Sequence, residues 1–197
     1  MTVRVPAETA ETELSGLERA ALEWIEPYSQ AHHLARTREW LLELDPDAGE
    51  ALRLAALTHD IERYFPGGPI QDKTGPWDDP VYNRAHAERS ARIVGEWLAE
   101  QGTQRDLVAS VEELILLHET GGTPEADLLQ AADSISFLET LADIACGWVR
   151  DGVCDAEHAK EKHRWMLERI RVPRARELAL PLYRQAVAAI DREAAGR

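Results

Sequence analysis

The residues in this chain best suited to chemistry are His59 and Asp60, adjacent at the end of the apolar run Leu54-Ala55-Ala56-Leu57-Thr58. An ionised carboxylate behind such a run is costly to bury unless it is paired or holds a metal, and neutral imidazole is the commonest metal ligand. A carboxylate also has two oxygens, enough to bridge two ions. Taken alone, a His-Asp pair reads as a polar helix end. Three further histidines, His33, His86 and His118, and a second aspartate, Asp133, change that reading. Leu129 and Phe137 lie one helical turn to either side of Asp133, so its carboxylate points inward and needs a counter-charge. His118 follows Leu114, Ile115, Leu116 and Leu117, and His59 has the small Ala55 and Ala56 on its own side, which lets other helices come close. One inward histidine is ordinarily a hydrogen-bonded core residue. Four of them with two inward carboxylates are hard to satisfy without metal.

Helices are needed to bring these residues together. Leu14, Leu17, Ala21, Leu22 and Ile25 recur at helical spacing, predicting a helix over 9–26 after a frayed start at 1–8. Pro27 ends it, because its ring cannot continue the hydrogen-bond ladder. A second helix, 29–44, carries His33, Arg36, Thr37 and Trp40 along one side. Asp45-Pro46 reads as an N-cap with proline in the first turn of a third helix, 46–61, which delivers His59 and Asp60. The prolines and glycines of 64–80 forbid a regular element, leaving a lid over a site or a mobile insertion. Asp79-Pro80 opens a fourth helix that carries His86 and ends near Gly102. Thr103 with Asp106 resembles a capping box for a fifth, which ends at His118 before Gly121-Gly122. A sixth, 124–149, holds Asp133, Asp155 caps a seventh, and Val172-Pro173 begins the last. No stretch reads as a strand. The expectation is one all-α domain over 1–197 with about eight helices, those of 155–194 packed on the rest.

In order, the chain presents His33, His59-Asp60, His86, His118 and Asp133, each step on its own helix. This pattern resembles the HD-domain superfamily of metal-dependent phosphohydrolases over residues 31–140. His33-Leu-Ala-Arg36, Leu54-Ala-Ala-Leu-Thr-His-Asp60 and Ala131-Ala-Asp-Ser-Ile135 are similar to that superfamily's local motifs. The six-residue form most resembles the bacterial diadenosine polyphosphate hydrolases of HD type, and the diiron oxygenases of the superfamily, such as myo-inositol oxygenase, use the same positions. The resemblance implies two divalent metal ions. His33, His59 and Asp133 would hold one and His86 and His118 the other. Asp60 would bridge both, and a metal-bridging hydroxide would be the nucleophile. Iron or manganese suits these ligands best, and zinc, magnesium or nickel would also fit.

Many members of that superfamily carry lysine four residues after the motif histidine, where this chain has Arg63. Helical spacing puts Arg63 on the His59 side, where its guanidinium could grip phosphate oxygens bidentately or pair with Glu62 on the surface. Arg36 and Arg89 each follow a ligand position by three residues and are candidate substrate contacts, with plain surface charge as the alternative. In the loop, Lys73 and Trp77 could face substrate, Trp77 by stacking on a base or, alternatively, by covering the core. His32, His158 and His163 match nothing and read as surface residues. The expected activity is hydrolysis of a small phosphorylated metabolite, a nucleotide or dinucleoside polyphosphate among the options. The alternatives are a mixed-valent diiron oxygenase and a non-catalytic ligand-binding regulator.

Charge narrows the partners. Lys and Arg number 22 against 36 Asp and Glu, a net charge of −14. That balance argues against a nucleic-acid polymer as partner but leaves room for a small anion at a metal site. Cys146 and Cys154 suggest no disulfide framework, and their separation lacks the short spacing of a zinc knuckle. The first ten residues lack the character of a signal peptide, and no apolar run is long enough for a membrane helix. A soluble cytoplasmic protein with no membrane partner is the expectation, with a homodimer left open.

Overall fold

Ser15 starts the first helix by the capping logic of its own side chain. In the computed structural model, which describes residues 14–196, its hydroxyl accepts from the Glu18 backbone N–H at 3.2 Å. Glu18 answers by accepting from the Ser15 N–H at 2.8 Å. Helix α1 therefore spans Gly16–Ile25, and the sequence expectations for 1–13 lie outside the described residues. The chain continues through α2 (Ala31–Leu44), α3 (Glu50–Thr58), a 3₁₀ turn (Ile61–Tyr64), α4 (Pro80–Glu100) and α5 (Arg105–Leu117). It ends with α6 (Pro124–Thr140), α7 (Ala142–Arg150), α8 (Ala156–Glu168) and α9 (Pro173–Ala195). The described residues hold no strand, so the all-α expectation stands.

Three local expectations need correction. Asp45 does not cap α3: its N–H closes α2 on the Leu41 carbonyl at 2.8 Å, and its carboxylate accepts from Asp47 N–H at 3.2 Å in a turn of its own. The third helix starts only at Glu50, after Gly49. Thr103 forms no capping box, since α5 follows Gln104 without a side-chain cap. The single helix expected over 124–149 is two, divided at Leu141 (φ −112°, ψ 11°), which makes nine helices among the described residues. Ser134 and Thr140 bond back to the Gln130 and Ser136 carbonyls at 2.7 Å each, and such back-bonding bends helices.

Three apolar clusters hold the helices in place, the smallest joining Ala145 and Val149 of α7 to Ala159 of α8 and Ile190 of α9. Leu34, Leu41, Leu54, Leu57, Leu98, Ile115 and Leu129 are fully buried between α2, α3, α4, α5 and α6. Each contributes about 1.5–3 kcal/mol relative to exposure. Trp24 of α1 stacks on Trp97 of α4 at 4.5 Å between centroids, closing that cluster. Ala131, Ile135 and Leu138 on the opposite side of α6 meet Met166 and Leu167 of α8 and Ala175 and Ala179 of α9. Helix α6 thus has apolar neighbours on both sides, and the polar groups along it must face partners rather than water. The buried Glu18 accepts from Arg38 at 2.6 Å and Arg53 at 3.1 Å, tying α1 to α2 and α3.

The irregular segment between the 3₁₀ turn and α4 is fastened down. Trp77 is 4% exposed and its indole N–H donates to the His158 carbonyl at 2.8 Å. Its ring stacks on Trp148 of α7 at 5.3 Å and on His158 of α8 at 4.8 Å. No helix among the described residues is long and apolar enough to cross a membrane.

Candidate metal centre

The six residues picked out by type and spacing converge. His33 comes from α2, His59 and Asp60 from the end of α3, His86 from α4, His118 from the end of α5 and Asp133 from α6, and all six are buried. Ligand atoms of His33, His59 and Asp60 lie within 4.8 Å of one another, as do those of Asp60, His86 and His118. Asp60 belongs to both groups. Asp133 approaches the first from the far side, its Oδ1 3.1 Å from His33 Nε2 and 3.3 Å from His59 Nε2. Asp60 Oδ1 lies 2.8 Å from His86 Nε2 and 4.0 Å from His118 Nε2.

Hydrogen bonds at the opposite ring nitrogen fix which atom each histidine offers. His59 Nδ1 donates to the Ala56 carbonyl at 3.2 Å and His118 Nδ1 to the Ile115 carbonyl at 2.6 Å. His86 Nδ1 donates to Glu62 at 2.8 Å. The Ser136 hydroxyl donates to the His33 carbonyl at 2.7 Å, so it accepts from His33 Nδ1, 2.9 Å away. All four rings therefore turn Nε2 into the cluster, the arrangement that outer partners impose on metal-binding histidines. The Nε2 atoms of His59 and His118 are buried without a hydrogen bond.

Nε2 lone pairs facing carboxylate oxygens at such distances repel unless positive charge lies between them. Protons on the rings are one source. His59–His118, His86–His118 and His33–His59 centroids are 5.2, 5.3 and 5.7 Å apart. Charging adjacent rings would cost about 3 kcal/mol per pair at an effective dielectric of ~20. Divalent ions would satisfy the lone pairs and the carboxylates together, so the donor set could hold metal.

Arginines supply the nearby charge. Burial alone would raise the Asp60 carboxyl, yet Arg63 and His86 hold it well below the usual carboxylate range. Arg63 stands 3.4 Å from Asp60 Oδ2 and 3.4 Å from His86 Nε2, at the cluster's edge and partly exposed. Burial likewise opposes ionisation of Asp133, and Arg169 and His59 outweigh it. Arg169, just after α8, donates to Asp133, to Glu119 at 2.5 Å and to Ser134 at 2.8 Å. Burial disfavours charge on His59 and His86, but Asp133 acting on His59 and Asp60 acting on His86 leave both rings more basic than usual.

The other candidate contacts divide. Arg36 is committed elsewhere, donating to Glu139 at 2.8 and 2.9 Å and to Glu39. Arg89 donates to Glu62 at 3.0 Å and to the Phe65 and Pro66 carbonyls, so it orients the partner of His86 rather than standing free for substrate. Trp77, packed as described, has no face left for a base. Lys73 lies over the Trp148 ring at 4.7 Å, and burial followed by the Arg63 charge pulls it down to about 8. His163 is fully buried rather than superficial, and His158 is half-buried against Trp77, while His32 is exposed. Ser136, Glu62, Glu119 and Arg169 carry no local sequence signal. Their partners on the cluster come from distant segments, apart from the chain neighbours His118 and Glu119.

A family model described as a domain of unknown function, DUF4202, matches residues 18–144. That span contains all six His and Asp residues and stops before Lys162 and Arg169. No curated protein and no solved structure matches the chain.

Proposed function

We propose that this chain, which belongs to the DUF4202 family, is a metal-dependent phosphohydrolase with a dinuclear centre, acting on a small phosphorylated metabolite. One observation carries the reading: two ligand groups share Asp60, and buried Nε2 atoms of His59 and His118 are left without hydrogen bonds. Divalent ions held by His33, His59 and Asp133 on one side and by His86 and His118 on the other would supply Lewis acidity and an activated water for in-line displacement at phosphorus. Iron or manganese suits four imidazoles and two carboxylates. Asp60 holds the two halves in register. Ser136 and Glu62 keep the His33 and His86 lone pairs aimed inward, and Arg169 fixes the Asp133 carboxylate. Arg63, at the edge of the cluster, is placed to stabilise charge developing on phosphoryl oxygens.

A diiron oxygenase would use the same ligand set. Arg63 favours the hydrolase, because a permanently charged planar donor suits phosphate and cannot give up its proton. Metal analysis of the purified chain, followed by a release assay over nucleotides, dinucleoside polyphosphates and sugar phosphates, tests the proposal. Phosphate release that depends on iron or manganese supports it. Oxygen uptake with a mixed-valent iron signal and no phosphate release would replace it with the oxygenase. Protein that holds no metal after resupply would end both.

A further inference from the structure

We infer that Lys73 and Lys162 form a second anion subsite beside the metal centre, built to take a second phosphate carried by the same substrate. The identity of the anion rests on the phosphohydrolase reading. The existence of the subsite rests on how the two lysines are housed.

The chain carries a large excess of acid, and its other buried or half-buried cations use it. Arg38 and Arg53 meet Glu18, Arg89 meets Glu62, and Arg169 meets Glu119 and Asp133. Lys160, two residues from Lys162, pairs with Glu157 and Asp191. Lys73 and Lys162 have no such partner within 4.0 Å among the described residues. Lys162 is 9% exposed. Its ammonium lies over Trp165 at 4.2 Å, Phe137 at 5.4 Å and Trp77 at 5.8 Å. Lys73 lies over the same Trp77 ring at 5.7 Å and over Trp148 at 4.7 Å, and its only hydrogen bond goes to the neutral Gln71 amide at 2.8 Å.

Aromatic faces offset part of the cost of burying an ammonium, about 0.5–2 kcal/mol per contact, but they accept none of its directed N–H bonds. Apart from the Lys73 bond to Gln71, no protein oxygen among the described residues accepts from these two ammonium groups. Burial and nearby arginines pull Lys162 down to about 7, although Glu119 works against them, and an incoming anion would reverse that.

Position ties this pair to the centre. Arg63 contacts Asp60, and its charge acts on both lysines. Lys162, Trp165 and Arg169 recur at helical spacing along α8 and its C-cap, the Trp165 ring centroid 4.2 Å from the Lys162 ammonium and 4.6 Å from the Arg169 guanidinium. Arg169 holds Asp133 while Lys162 shares the Trp165 ring with it, so a phosphate on the lysines would be a second one beside the reacting one.

The test is calorimetric titration of the metal-reconstituted full chain with methylenediphosphonate, which is not hydrolysed, and with methylphosphonate. Wild-type protein should prefer the diphosphonate. Lys73→Met and Lys162→Met should each weaken diphosphonate binding by roughly 10- to 100-fold, the scale of one charge-assisted hydrogen bond. Methylphosphonate affinity should stay within twofold. Methionine keeps an unbranched chain among the rings, and melting curves check that the variants fold. If Lys162→Met does not fold, Lys73→Met on the loop decides. Diphosphonate binding unchanged in the folded variants overturns the subsite, as does equal loss of both ligands. A lysine-dependent diphosphonate preference in protein that releases phosphate from no substrate keeps the subsite and removes the hydrolase.

Discussion

The arrangement of the cluster makes Asp60 unlike every other ligand, because it alone belongs to both three-residue groups. Asp60→Asn keeps the shape and removes the charge, whereas His118→Ala removes one ligand from one group. With free metal at about 100 times Kd, each bound ion adds roughly 2.7 kcal/mol to stability. Two ions give about 5 kcal/mol, which in a domain of this size raises Tm by roughly 10–20 °C. Calorimetry of each protein with chelator and then with manganese or iron, alongside metal counting, reads this out. Wild type should show the full shift and about two ions per chain, His118→Ala about half the shift and one ion, and Asp60→Asn little of either. Each variant is compared with its own chelated form, because Asp60 also pairs with Arg63 and His86 without metal. Equal residual shifts in the two variants would refute the shared role of Asp60. A wild-type Tm that ignores both chelator and metal would refute the metal centre itself.

Three further outcomes follow from particular contacts. Ser136→Ala removes the acceptor of the His33 Nδ1–H and should weaken metal affinity about 10- to 100-fold in equilibrium dialysis; unchanged affinity would show that His33 is oriented by packing alone. Arg63→Ala should lower kcat/KM roughly 10²–10³-fold with metal content retained, and a change of only a few-fold would reduce Arg63 to a counter-ion of Asp60. His163 is fully buried and its burial lowers it to about 4 from an ordinary 6.5. The unfolded chain therefore binds the proton first as pH falls, so this group's stability is complete above 6.5 and lost toward 4, by about 3 kcal/mol. His59 and His86, held above the usual range, act with the opposite sign, so the quantity to read is the difference between wild type and His163→Leu in denaturant titrations. The variant should lose less stability from pH 6.5 to 4; parallel profiles would show that His163 takes up its proton without cost.

Asp133 and His118 are legible in the sequence because each carries its evidence within a helical turn. Leu129 and Phe137 mark the face of Asp133, and the four apolar residues before His118 mark its approach to the core. Local signals mislead where a competing partner is equally local or lies far along the chain. Asp45 has the chemistry of an N-cap, but bonding to Asp47 and closing α2 consumed it. His163, next to the buried Lys162 on α8, looked like a surface residue until α6 brought Phe137 against its ring at 5.2 Å.

Arg36 and Arg63 show the same limit from the side of function. Each follows a histidine of the cluster by about one helical turn. Arg36 is taken by Glu139, which lies 103 residues away on α6, together with Glu39 on its own helix. Arg63 follows the point where α3 gives way to the 3₁₀ turn, so its guanidinium swings back on Asp60 and His86. Arg169 and Lys162 are the converse case, with no ligand near them in sequence and one face of α8 to bring them to Asp133 and the aromatic cage. Part of the His and Asp cluster is thus written locally, whereas the cations around it are assigned by which helices pack. Substitutions in α8, outside the family match, should therefore alter substrate preference at Lys162 without emptying the metal centre, whereas substitutions at Arg169 should disturb both.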